Sequence, residues 1–312
     1  MQSISLAIYL LSFVALWVGA GLIIKSIDGF SKHLKLSPFS ISFFFLGLLT
    51  SIPEIAVGFS AVSQGTPEIF VGNLLGGITV IFLFIIPILA ILGRGIKLTN
   101  QLDKKTLLLA LTVIAAPSFL ILDKRVTNPE GTLLIGLYLI LFFFVERNRG
   151  FFDRHNDRAV HLKSFSLMDI MKLLLGVGIV LIASRYAVSK TIEFAAFLNI
   201  STFLASLIIL SLGTNLPELS LAIKSIVTDK KDIALGDYLG SAAANTLVFG
   251  FFTILNKGEV LTTNNFFTSF LFIEIALGMF YHFTRSEKNI SRKEGIVMIL
   301  VYVVFVALEL SY

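Results

Sequence analysis

Leu49–Ile55 reads LTSIPEI, and Gly213–Leu219 reads GTNLPEL. A second pair lies the same short distance beyond each copy: GNLLGG at Gly72–Gly77 and GDYLGS at Gly236–Ser241. Both pairs fall into register at one offset of 164 residues, without a gap. The chain therefore reads as two copies of one unit. Each copy sets a proline and a glutamate inside apolar sequence. A carboxylate at membrane depth is costly, and a proline there interrupts the helical hydrogen-bond ladder, so neither is expected without a use.

Composition sets the class around these motifs. Hydrophobic residues make up 56% of the chain and charged residues only 14%, where a soluble domain carries about a quarter charged. Thirty Phe residues and apolar runs such as Leu133–Val145 and Ile296–Leu308 supply lipid-facing surface. The 312 residues leave room for about ten spans of ~20 residues each and for no large soluble domain. The first apolar run, Ile4–Ile24, lacks a basic leader and is too long for a signal core, so it reads as a span. The absence of Cys excludes disulfides, thiolate metal sites and cysteine nucleophiles.

The expected fold is an all-α polytopic membrane protein with spans near 4–26, 37–64, 68–92, 106–122, 130–146, 168–189, 199–228, 232–255, 264–283 and 294–311. Lys and Arg divide unevenly between the two sides: 18 fall in the connections after the odd-numbered spans and 5 in the others. The rich side is expected to be cytoplasmic, with both termini outside the cell membrane. This bias accounts for the basic pI of about 9.3 without a nucleic-acid partner. The longest polar stretch, Glu146–Ser166, separates a first half at 1–147 from a second at 168–312, with a cytoplasmic linker at 148–167. Five spans precede it and five follow. The motif-bearing second and seventh spans then cross the bilayer in opposite directions, the inverted-repeat layout of secondary transporters.

That layout brings Glu54 and Glu218 toward the midplane from opposite sides, each just after a proline that opens its helix. The core helices are therefore expected to be discontinuous. Carboxylates, hydroxyls, amides and freed carbonyls suit hard cations, above all Ca²⁺ with its six to eight oxygens, and parts of the set suit Na⁺. No glycine-rich phosphate loop with its lysine is present, so the driving energy is expected from an ion gradient and not from ATP.

The motifs resemble the alpha-repeats of the calcium:cation antiporter superfamily, G-[ST]-[ST]-x-P-E followed by G-N-x-x-G-S-N-x-x-[ND], and prokaryotic sodium/calcium exchangers in particular. The resemblance covers the whole chain, with the repeats at about 43–81 and 207–245. It implies a packed core of the second, third, seventh and eighth helices, past which the first and sixth slide as a pair. It implies ion ligation by Thr50, Ser51 and Glu54, and by Thr214, Glu218, Ser241 and Asn245. Asn215 stands where Ser51 stands in the first repeat, and joins the candidates. Asn73 and Asp237 are expected one layer behind, bonding across to the opposite repeat. The transported ions are Ca²⁺ and Na⁺, with H⁺ as the alternative counter-ion, and no cofactor is implied.

The sequence departs from the pattern at named places. Gly77 and Ile81 replace a serine and an asparagine in the first repeat, Asn245 is neutral, and Gly-Asn becomes Gly236-Asp237 in the second. Among other polar residues, Glu274 is read as a structural acid of the ninth span, Lys224 as snorkelling to the headgroups, and Glu68 and Asp232 as acids at helix N-termini. The four histidines, His33, His155, His161 and His282, lack metal-ligand spacing. Two other classes stay open at this stage: an intramembrane enzyme using the paired carboxylates, and a non-transporting cation-binding scaffold. Partners are expected to be cations and the lipid bilayer.

Overall fold

The computed structural model describes residues 2–31, 41–97, 104–147, 167–228, 231–256, 259–261, 266–286 and 289–311. Residues 148–166 of the expected linker at 148–167, and His33, His155 and His161, lie outside them, as do the side chains of Lys224 and Asp232. Helices dominate. In order they are α1 (Gln2–Ser31), α2 (Gly47–Thr50), α3 (Ile52–Ser63), α4 (Pro67–Val80), α5 (Ile86–Leu92), α6 (Lys104–Leu120), α7 (Asn128–Arg147) and α8 (Leu167–Leu198). There follow α9 (Thr202–Ala205), α10 (Ser211–Thr214), α11 (Leu216–Thr228), α12 (Lys231–Leu255), α13 (Phe267–Ser286) and α14 (Arg292–Glu309). Wide π turns at Ile41–Leu46, Ser206–Leu210 and Ile81–Ile85 join several of these into longer rods.

Among the described residues, seven helices are long and apolar enough to cross a membrane, and the bent rod Thr202–Thr214 plus Leu216–Val227 makes an eighth. The other two expected segments fail that test for local reasons. Ile52–Ser63 is a twelve-residue piece of a broken rod, and α14 opens on Arg292, Lys293 and Glu294.

The expected discontinuities fall at matching positions. Ser51 leaves helical geometry with φ −77° and ψ 6°, and Asn215 does so with φ −85° and ψ 16°. The helix restarts one residue later, which sets Pro53 and Pro217 in the first turn, where a missing N–H leaves no bond unmade. Across the second break the rod bends by 41°.

The repeat extends well beyond its motifs. β1 (Ile96–Lys97) pairs with β4 (Asn289–Ile290), and β2 (Arg125–Val126) pairs with β3 (Val260–Leu261), both antiparallel. The Ile96–Ile290 pair maps onto Val260–Val126 at the 164-residue offset, so one ladder is the pseudo-symmetric image of the other. These two-residue ladders are the only strands among the described residues, and the all-α reading did not anticipate them.

Close helix crossings hold the core. A Cβ on Gly240 would overlap the carbonyl of Phe43, and one on Gly76 the carbonyl of Leu207. Phe43 and Leu207 are again 164 residues apart, so each repeat lays a glycine of its second motif on the backbone of the other repeat's π turn. α4 is buried along nearly its full length, and so is α12 from Leu235 to Gly250. Outside this core, α1 and α8 pack on each other through Gly19 and Gly176, where a Cβ on Gly19 would lie 2.7 Å from Val180 Cγ2. Tyr9 and Thr191 bond across the same pair at 2.8 Å. Leu10, Leu11, Phe143, Leu174 and Ile182 point outward, as a surface against hydrocarbon requires.

Candidate functional site

The two broken rods and the two buried helices bring the motif residues into one pocket. Thr50, Ser51, Glu54, Asn73, Thr214, Asn215, Glu218, Asp237, Ser241 and Asn245 are all buried, none more than 3% exposed. Each repeat contributes a Thr that donates to the other repeat's second motif: Thr50 Oγ1 to Asp237 Oδ1 at 3.2 Å, and Thr214 Oγ1 to Asn73 Oδ1 at 3.1 Å. These bonds are images of each other at the repeat offset and join each threonine to Asp237 or Asn73 of the opposite repeat. Ser241 links the repeats at the centre, donating to Glu218 Oε1 at 2.7 Å and lying 3.1 Å from Ser51 Oγ. Glu54 sits beside Thr214 and within electrostatic reach of Glu218.

What the pocket leaves unpaired defines its chemistry. Among the described residues, both oxygens of Glu54, Glu218 Oε2, Asp237 Oδ2, Asn245 Oδ1 and the amide nitrogen Asn73 Nδ2 are buried without a hydrogen-bond partner. Unpaired buried polar atoms are rare and costly, several in one volume more so. The ion pairs Arg125–Glu259 and Lys190–Glu193 involve exposed side chains and do not compensate these acids. Apart from the Asn73 amide nitrogen, the open valences are acceptors, hard oxygens of the kind that bind Ca²⁺ and Na⁺. Among the described residues, no three His, Cys, Asp or Glu side chains are grouped to share one metal. A cation held here therefore needs hydroxyl, amide or backbone oxygens besides the carboxylates.

The two asparagines are anchored by their amino ends. Asn215 Nδ2 donates to Ser211 O at 2.8 Å and Asn245 Nδ2 to Leu74 O at 3.3 Å. Gly77 faces both, and Ile81 is buried without a polar group.

Other sequence candidates lie elsewhere. Glu274 is half-buried among apolar side chains of α6, α7 and α13 and accepts from Ser118 at 3.2 Å. Glu68 accepts from Thr202 Oγ1 at 3.0 Å, which ties the start of α4 to the start of α9. His282 is exposed beside Phe283. Sequence reasoning missed Tyr238, which is fully buried and donates to the Glu218 carbonyl at 3.3 Å. Its only sequence signal is adjacency to Asp237. Phe13 was missed as well; its ring lies over Gly213, where any side chain would overlap it. Nothing in an apolar helix marks one phenylalanine among thirty.

The chain is 26% identical over 310 residues to the putative antiporter CaxA of Alkalimonas amylolytica, covering 94% of this chain and 97% of that one. It is 25% identical over 344 residues to the sodium/calcium exchanger MaX1 of Methanosarcina acetivorans, covering 98% of each. Among solved structures, the sodium-calcium exchanger NCX_Mj soaked with 100 mM Na⁺ and 10 mM Sr²⁺ superposes with a TM-score of 0.68 at 20% identity, covering 98% of this chain and 99% of that one. The H⁺/Ca²⁺ exchanger CAX superposes with a TM-score of 0.77 at 16% identity, covering 98% and 87%. The sodium/calcium exchanger protein family matches at residues 4–145 and 170–310, nearly the whole chain. The chain belongs to that family.

Proposed function

We propose that the protein is a secondary antiporter that exchanges Ca²⁺ for Na⁺ across the cell membrane by alternating access. The observation that carries the reading is the cluster of buried, unpartnered oxygens on Glu54, Glu218, Asp237 and Asn245, contributed by two repeats. Glu54 and Glu218 bind Ca²⁺ and Na⁺ in mutually exclusive turns, aided by Thr50, Ser51, Thr214, Ser241 and Asn245. Asn215 borders the same volume, while Asn73 and Asp237 hold the threonines. Neither an intramembrane enzyme nor a scaffold calls for hydroxyls repeated in inverted register.

The halves 1–147 and 168–312 are the two repeats, joined by a cytoplasmic linker, with both termini outside. The 18-to-5 division of Lys and Arg supports this orientation. Access alternates as α1 and α8 move together past the core. Their close packing at Gly19 and Gly176 supports a common motion, and Ser60 and Ser184, 2.8 Å apart, form a polar contact between α3 and α8 that such a slide would exchange.

A second reading makes H⁺ the counter-ion. The observation in its favour is the first repeat's missing polar groups at Gly77 and Ile81, which leaves fewer oxygens for Na⁺. Ca²⁺ uptake into proteoliposomes at clamped voltage, under an outward Na⁺ or an outward H⁺ gradient, separates the two. Uptake is expected under the Na⁺ gradient. Uptake under H⁺ alone moves the protein to the second reading, and uptake under neither overturns both.

A further inference from the structure

The pocket is two-fold in its frame and one-sided in its lining. Gly77 matches Ser241, Ile81 matches Asn245, and Ser51 matches Asn215 at the repeat offset. On the second repeat's side, Ser241 joins Ser51 and Glu218 through hydroxyls. The corresponding place on the first repeat's side has no side chain at Gly77 and a buried hydrocarbon at Ile81. The backbone departs too: Ile81–Ile85 is a π turn, whereas Asn245 and the residues after it are plain α-helix in α12.

Two carboxamides from the second repeat face this gap. A Cβ on Gly77 would lie 3.0 Å from Asn245 Nδ2 and 3.2 Å from Asn215 Nδ2. The orientation of each amide follows from its acceptor. Asn215 bonds the Ser211 carbonyl and Asn245 the Leu74 carbonyl, and only the amino end of an amide can donate to a carbonyl. Asn245 Oδ1 is therefore turned to its other side and stays unpartnered. Each amino group carries a second hydrogen, so the positive ends of two amide dipoles meet over Gly77. In a buried, low-dielectric volume such donors repel a cation strongly, and a hard cation needs oxygens that this gap lacks.

We propose that Asn215 and Asn245 are selectivity residues that close the first repeat's half of the pocket to cations and confine bound ions to the volume between Glu54, Glu218 and Ser241. The carrier then holds fewer monovalent ions than its two-fold frame would admit. The proposal rests on reading the pocket as an ion site.

The test counts ²²Na⁺ bound at saturation to purified, detergent-solubilised full-length protein. Asn215→Ser removes one amino group and installs the residue that Ser51 shows to fit the matching position. It is expected to bind about one more Na⁺ per chain than the unmodified protein, because one donor gives way to one acceptor. An unchanged count in the folded variant overturns the proposal. Should that variant fail to fold, Asn245→Asp, of the same shape with an oxygen for the amino group, decides by the same criterion. No transport enters this measurement. A chain that binds Na⁺ as expected but moves no Ca²⁺ would sink the antiporter reading and leave this one standing.

Discussion

Glu218→Gln is expected to lower Ca²⁺ uptake by more than about a hundredfold and leave a folded, extractable protein. Gln keeps an oxygen for the Ser241 hydroxyl, which now bonds Glu218 Oε1 at 2.7 Å, and it nearly conserves volume. It removes the charge behind Oε2, which has no hydrogen-bond partner among the described residues. A charge-assisted contact of about 3 kcal/mol corresponds to about two powers of ten in affinity. Stability is not expected to suffer, because an unpaired buried carboxylate opposes folding. Glu54→Gln carries the same expectation more cleanly: neither of its oxygens makes a hydrogen bond that the substitution could break. Radiotracer uptake in proteoliposomes, with size-exclusion profiles as the fold control, checks both. Near-normal flux in either variant removes that residue from the ion site.

The second large effect falls on the scaffold. Gly240→Ala places a methyl group inside the carbonyl of Phe43. Backbone cannot rotate away as a side chain can, so the crossing of α12 with the π turn at Ile41–Leu46 must open. Overpacking costs about 1–3 kcal/mol where neighbours yield, and here the upper end or beyond is expected. That corresponds to a fall in Tm on the order of 10 °C, with loss of Ca²⁺ binding because Ser241 moves with its neighbour. Gly76→Ala should behave alike, since its Cβ meets the Leu207 carbonyl at the mirrored crossing. Gly136 and Gly278 serve as controls. Among the described residues, nothing lies within 4 Å of a Cβ at either place, and alanine there should be neutral or stabilising by up to about 1 kcal/mol through helix propensity. Thermal unfolding in detergent compares the four, and a Gly240→Ala protein as stable as the Gly136→Ala control would remove the crossing from the stabilising core.

Much of this follows from the chain by itself. The repeated Pro-Glu, the 164-residue offset and the apolar composition determined a helical membrane protein made of two related halves. They also determined helix breaks near Pro53 and Pro217, because a proline acts on its own backbone whatever surrounds it. Glu54 and Glu218 stood out for the same local reason, as acids within hydrocarbon-like sequence. Pairings across the pocket are of another kind. Thr50 with Asp237, Thr214 with Asn73, and Ser51 with Ser241 join residues 187, 141 and 190 positions apart. They depend on where two helices cross, and the crossing depends on glycines laid against carbonyls of the other repeat. Glu68 illustrates the limit: its place at a helix start suggested capping, yet its carboxylate is held by Thr202 from the far half of the chain. The amides of Asn215 and Asn245 illustrate it further, since an Asn offers a donor and an acceptor with equal readiness. Residue type marked both as polar groups near an ion, and only the position of two backbone carbonyls decided that their amino ends face Gly77.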